Sequence, residues 1–135
     1  MPRLVVVEPE PAACLLASAQ AGALTAVVGD LDTIMAGLAC GEPSLLAWQE
    51  LSRAAAAFMA IPDETAIRCM RRLFRDGLAI GESGVAGLAG FLMAGFDPSA
   101  REMLGLDGAS RVLVFGTEGA TDPALFASIV ENGIV

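Results

Sequence analysis

The sequence predicts an α/β fold, a mostly parallel sheet with helices on both faces, and three observations carry that prediction. Leu4, Val5, Val6 and Val7 form a continuous apolar, β-branched run without alternation, the pattern of a strand buried on both faces. Strand-like and helix-like stretches then alternate along the chain, which describes βαβ units and right-handed crossovers. Finally, residues 111–123 join a strand-like run to two glycines that bracket Thr117 and Glu118, followed by an Asp122-Pro123 helix start. In open parallel sheets ligands sit beyond the carboxyl ends of strands, so a hydroxyl and a carboxylate held there can address a bound molecule. The same pattern also serves as a plain glycine turn.

Each element has its own warrant. Glu8-Pro9-Glu10-Pro11 turns out of the first strand; Pro11 suits a first helical turn and Glu10 suits its positive end. A helix follows over residues 12–21, with Leu15, Leu16 and Ala19 at helical spacing and Gly22 as its stop. Residues 25–28 read as a short strand. Asp32 or Thr33 can cap a segment over residues 34–41, whose Gly37 and Gly41 indicate either close approach by backbone or ligand, or an irregular loop.

Pro43-Ser44 opens a helix over residues 45–57 with Trp48 as its anchor, and residues 58–61 read as a second core strand ending at Pro62. Asp63 is expected to cap a helix over residues 64–74, which Asp76-Gly77 ends. Gly81-Glu82-Ser83-Gly84 is a second glycine turn. It feeds an apolar helix over residues 85–95, whose repeated glycines allow its backbone to lie close to its neighbours. Asp97-Pro98 starts a short helix to residue 104, residues 111–115 form the last strand, and a helix over residues 123–131 closes the order. Three or four strands are few for such a sheet. A chain that opens on a buried-type strand is expected to lack the first part of its domain.

Composition narrows the function. With 135 residues the chain can build one real core, and 55% hydrophobic against 18% charged residues implies that some apolar surface meets something else. The net charge of −8, from 16 acidic and 8 basic residues, argues against a nucleic-acid or anionic-membrane partner. Arg68, Arg71, Arg72 and Arg75 follow helical spacing and read as a solvated face. No apolar run reaches the ~18 residues of a membrane span, and the start of the sequence lacks the shape of a signal peptide, so the expected compartment is cytoplasmic. Cys14, Cys40 and Cys69 are too scattered for a disulfide framework or a zinc site and read as buried thiols, with a Cys14–Cys40 pair left open.

All eight basic residues are arginines, and the chain has no lysine, histidine or tyrosine. That closes Ser-His-Asp and Cys-His catalysis, histidine metal ligation and lysine Schiff bases. Carboxylates and cysteines are the ordinary general bases that remain.

Four motifs, in order, resemble one family. Val7-Glu8-Pro9, residues 33–43 (TIMAGLACGEP), Gly81-Glu82-Ser83-Gly84 and residues 117–122 (TEGATD) are similar to diaminopropionate ammonia-lyases, of the tryptophan-synthase-like group (fold type II) of pyridoxal-phosphate enzymes. The resemblance covers nearly the whole chain and corresponds to the C-terminal part of such an enzyme. It implies residues 1–135 as a single C-terminal portion of an incomplete fold-type-II architecture. The Schiff-base lysine, the glycine-rich phosphate loop and the upstream acidic catalytic residues would lie in an absent N-terminal portion. No catalytic residue is therefore expected here, and activity of the chain alone is not expected.

The resemblance also implies the site. Gly116 and Thr117 would lie beside the pyridine nitrogen, Glu82 and Ser83 along the cofactor's far edge, and Gly37, within Ala36-Gly37-Leu38, on its reactive side. A neutral hydroxyl at Thr117 would leave the ring nitrogen largely unprotonated, which suits elimination. Glu8 matches a position that ligates a metal in serine-racemase-like relatives, but Ala12 and Cys14 stand here without the second acid, so no metal is expected. The implied reaction of the complete enzyme converts 2,3-diaminopropionate to pyruvate and ammonia with pyridoxal 5'-phosphate, in a homodimer. The runner-up within the group is a serine or threonine dehydratase; outside it stand a non-catalytic module and one half of a split enzyme.

Overall fold

The computed structural model describes residues 2–131. Strand β1 (Leu4–Pro9) pairs in parallel with β2 (Ala55–Ile61), with Val7 opposite Met59 and Glu8 opposite Ala60. Between them lie a short 3-10 turn (Glu10–Ala12), helix α1 (Cys14–Ala21), a second 3-10 turn (Ala36–Leu38) and α2 (Leu45–Ala54). After β2 come α3 (Asp63–Arg75), α4 (Ala86–Phe96), α5 (Pro98–Leu104) and α6 (Pro123–Glu131).

Consecutive strand residues point to opposite faces, and both faces are covered. Val7 and Met59 face α4, where a Cβ at Gly90 would lie 2.6 Å from Val7 Cγ2 and 3.1 Å from Met59 Sδ. On the other face Glu8 reaches the start of α1, and Phe58 meets Trp48 of α2 with ring centroids 6.1 Å apart. The fold class is thus α/β with a parallel pairing and helices on both sides. Met35, Ile61, Met70 and Val85 are fully buried at its centre. Helix α3 buries Ala66, Cys69 and Met70, one face at i, i+3 and i+4.

Several elements depart from the sequence expectation. Residues 25–28 and 111–115 form no strand, and the sheet has two strands among the described residues. A ladder needs a neighbouring strand, and neither segment has one. The helix expected over residues 45–57 stops at Ala54, and β2 begins at once with Ala55 opposite Leu4. The alanine run favours a helix, but the ladder to β1 overrides that modest propensity. The segment 34–41 contains only the Ala36–Leu38 turn. Helix 12–21 is interrupted at Ala13, so the regular helix starts at Cys14.

Two local expectations about α3 also change. Asp63 does not cap it, because the helix begins at Asp63 itself and Pro62 occupies the cap position. Arg71 does not belong to a solvated face. Its Nε donates to the carbonyl of Ile129 at 2.8 Å, meeting one of the carbonyls that the last turn of α6 leaves unpaired. Phe74 packs edge-on against Phe126 beside it, which seats α6 on α3.

Candidate functional site: three loops at the end of the sheet

Three loops converge near the amino-terminal end of α4. The first, residues 33–38, is pinned by Asp63: the Thr33 hydroxyl donates to Oδ1, and the Ile34 N–H donates to Oδ2 at 2.9 Å. The Thr33 oxygen in turn accepts the Met35 N–H at 3.1 Å, while the Met35 side chain is wholly buried. Gly37 is thereby held at the surface, where its N–H donates to the Ser83 hydroxyl oxygen at 3.0 Å.

The second loop, residues 80–84, runs directly into α4. It is packed against the third, residues 116–119, closely enough to require its glycines. A Cβ at Gly81 would fall 2.2 Å from the Gly119 carbonyl oxygen, and one at Gly84 would fall 2.9 Å from that of Glu118. The Glu118 carboxylate joins the two loops: Oε2 accepts the N–H of Ser83 at 2.6 Å and of Gly84 at 3.1 Å. Its backbone carbonyl accepts the Gly81 N–H at 3.0 Å. Charge-assisted bonds of this kind are roughly twice as strong as neutral ones.

Gly37 and Ser83 are therefore bonded directly, and Gly116 and Thr117 reach the same place through Glu118. Glu82 lies on the shared turn, only 4% exposed, and its Oε1 has no hydrogen-bond partner. A buried carboxylate oxygen left unpaired costs stability. Thr117 is exposed, and its hydroxyl makes no hydrogen bond among the described residues.

The sequence singles out Glu118 and Asp63 but not the partners that make them organising residues. Oε2 of Glu118 addresses the backbone of a turn 34 and 35 residues away, and no spacing rule discloses such a pair. Asp63 has the composition of a helix cap but serves the 33–34 loop.

Glu8 is similarly committed. It is 7% exposed, and its two oxygens accept the N–H groups of Leu15 at 2.9 Å and Leu16 at 2.8 Å, satisfying the first turn of α1. Burial, and after it the neighbouring Glu8 carboxylate, push the Cys14 thiol above the usual range, and burial does the same to Cys69. All three cysteines are free thiols; Cys14 and Cys69 are buried as expected, whereas Cys40 is exposed.

Comparison with known proteins places the chain in a family. The chain is 38% identical to diaminopropionate ammonia-lyase of Escherichia coli (strain K12) over 96% of its length, covering 34% of that protein. It is 39% identical to the diaminopropionate ammonia-lyase of Salmonella typhimurium (strain LT2) over 98% of its length, covering 36%. A solved structure of the E. coli enzyme, in complex with an aminoacrylate-PLP azomethine reaction intermediate, superposes with a TM-score of 0.83 at 36% identity. That match covers 96% of this chain and 34% of the other. The chain thus spans about a third of the length of the curated relatives it matches. Residues 1–118 match the family described as "Pyridoxal-phosphate dependent enzyme", and on that match the chain belongs to the pyridoxal-phosphate dependent enzymes, with a fold-type-II architecture.

Proposed function

We propose that the chain forms one wall of a pyridoxal-phosphate site. In the complete enzyme this site serves an ammonia-lyase that converts 2,3-diaminopropionate to pyruvate and ammonia. The observation that carries the reading is the convergence of residues 36–38, 80–84 and 116–119, which leaves a free hydroxyl at Thr117 and an unpartnered, buried oxygen on Glu82. The residues present fit a flat, polar-edged group: glycines line the approach, and the orphaned Glu82 oxygen awaits a donor.

In this reading Thr117 and Gly116 meet the ring nitrogen, Glu82 and Ser83 line the ring edge, and Gly37 faces the reacting side. The bound cofactor supplies the electron sink for removal of an α-proton and loss of the β-amino group. Thr117 offers the ring nitrogen a neutral hydroxyl, so that nitrogen keeps its low basicity. Residues 33–38, tied to Asp63, keep a fixed backbone wall beside the substrate. The covalent lysine comes from elsewhere, since the chain has no lysine. We propose the rest of the fold as its partner, a homodimer as the assembly, and the cytoplasm as the compartment, which suits three free thiols.

A chimaera tests this directly, with the chain replacing the matching third of the E. coli relative. Expected are the visible absorbance of bound cofactor and release of pyruvate and ammonia from 2,3-diaminopropionate. Turnover of serine or threonine instead would assign a dehydratase. A folded chimaera that binds no cofactor would overturn the reading.

A further inference from the structure

One oxygen of the Glu118 carboxylate is committed to backbone. Oε2 takes the N–H groups of Ser83 and Gly84, and the carbonyl of the same residue takes that of Gly81, so one residue closes the turn at three points. The carboxylate also lies just before α4, which begins at Ala86, where negative charge favours the helix. Ser83, positioned in this way, receives the Gly37 N–H on its hydroxyl oxygen. Glu118 is peptide-bonded to Thr117. The chain of contacts therefore runs from Thr117 through Glu118 to Ser83 and on to Gly37, linking segments far apart in sequence.

We propose that Glu118 is a positioning residue of this site: its grip on the Ser83 and Gly84 amides fixes the Thr117 hydroxyl relative to Glu82, Ser83 and Gly37. The proposal rests on the cofactor-site reading above and adds the residue that sets its geometry.

Amide hydrogen exchange on the full chain, resolved by residue with NMR, tests the coupling without any cofactor. Glu118→Ala is expected to lower protection at Ser83 and Gly84 roughly tenfold. Protection at Gly37 should fall with it, while Ala89 in α4 and Val7 in β1 stay as they are. Glu118→Gln keeps an acceptor oxygen and should restore most of the protection at all three. In the chimaera, Glu118→Ala should shift the absorbance of bound cofactor in the same direction as loss of the Thr117 hydroxyl, and Glu118→Gln should reverse the shift.

Unchanged protection at Gly37, or a Glu118→Gln variant no better than Glu118→Ala, would overturn the proposal. Should Glu118→Ala not fold, Glu118→Asp decides, since its shorter side chain withdraws the carboxylate from the Ser83 and Gly84 amides: lower protection at Gly37 as well as at those two supports the relay, and unchanged protection at Gly37 refutes it. A chimaera without cofactor would remove the functional reading, whereas the amide results judge the Glu118 relay by themselves.

Discussion

Thr117 presents a hydroxyl with no partner among the described residues, so its replacement tests function with little effect on folding. In the chimaera Thr117→Val is expected to lower kcat about tenfold, the worth of one hydrogen bond, while Thr117→Ser keeps most of it. Equal rates for the two variants would remove Thr117 from the site. The thiols give a second prediction. Burial holds Cys69 and Cys14 above the ordinary thiol range of about 8.5, so the folded state disfavours thiolate. Stability from these groups is complete below that value and is lost as pH rises through the raised folded values. Lysine and tyrosine, the usual alkaline titrators, do not occur in this chain. Denaturant unfolding should therefore show a loss that sets in as pH rises past the ordinary thiol range and shrinks in a Cys14→Ala, Cys69→Ala double variant. An alkaline loss of the same size in that variant would sink the assignment.

At the scale of elements, two glycines of α4 should respond with opposite signs. A Cβ at Gly90 would lie 2.6 and 2.9 Å from the Val7 methyls, whereas nothing lies within 4 Å of one at Gly95. Gly90→Ala is expected to destabilise by about 1–3 kcal/mol from overpacking, partly offset by better helix propensity. Gly95→Ala should stabilise by roughly 0.5–1 kcal/mol. Thermal unfolding of the two variants checks both signs.

The same scale shows what was legible in the sequence. β1, α4, α5 and α6 were readable because local pattern and tertiary environment agree: an unbroken apolar run, an apolar glycine-rich helix, and Asp-Pro starts. Asp97 does accept the N–H groups of Ser99 and Ala100, as its Asp-Pro pair implies. The end of α2 was not readable, because Ala55 and its neighbours carry no period and only pairing with β1 decides their state. Gly37, Ser83 and Thr117 could be singled out by glycine context and by resemblance. Glu118 and Asp63 could not be assigned their partners, since those contacts span about 30 residues and depend on the finished fold.

For the whole molecule, the informative feature is what stays uncovered. Leu113 and Phe115 are 79% and 74% exposed, with Val112 and Val114 partly so, and this run has strand character but no ladder among the described residues. Contiguous apolar surface of this kind marks a contact site or an aggregation liability. The isolated chain should bind an exposed-hydrophobe dye and self-associate with rising concentration, and Leu113→Lys with Phe115→Lys should suppress both. A chain that stays monomeric and dye-silent would show this surface to be tolerated in water.

That uncovered run leads without a break into residues 116–119. Whatever pairs with residues 111–115 restrains the segment that carries Thr117 and Glu118, so cover and ligand act on one stretch of backbone. Their binding free energies are then linked, and linkage is reciprocal: if the cover tightens the ligand by some factor, the ligand tightens the cover by the same factor. A cofactor at this site would consequently act as an assembly effector, strengthening the association of the surrounding chain as well as supplying its chemistry.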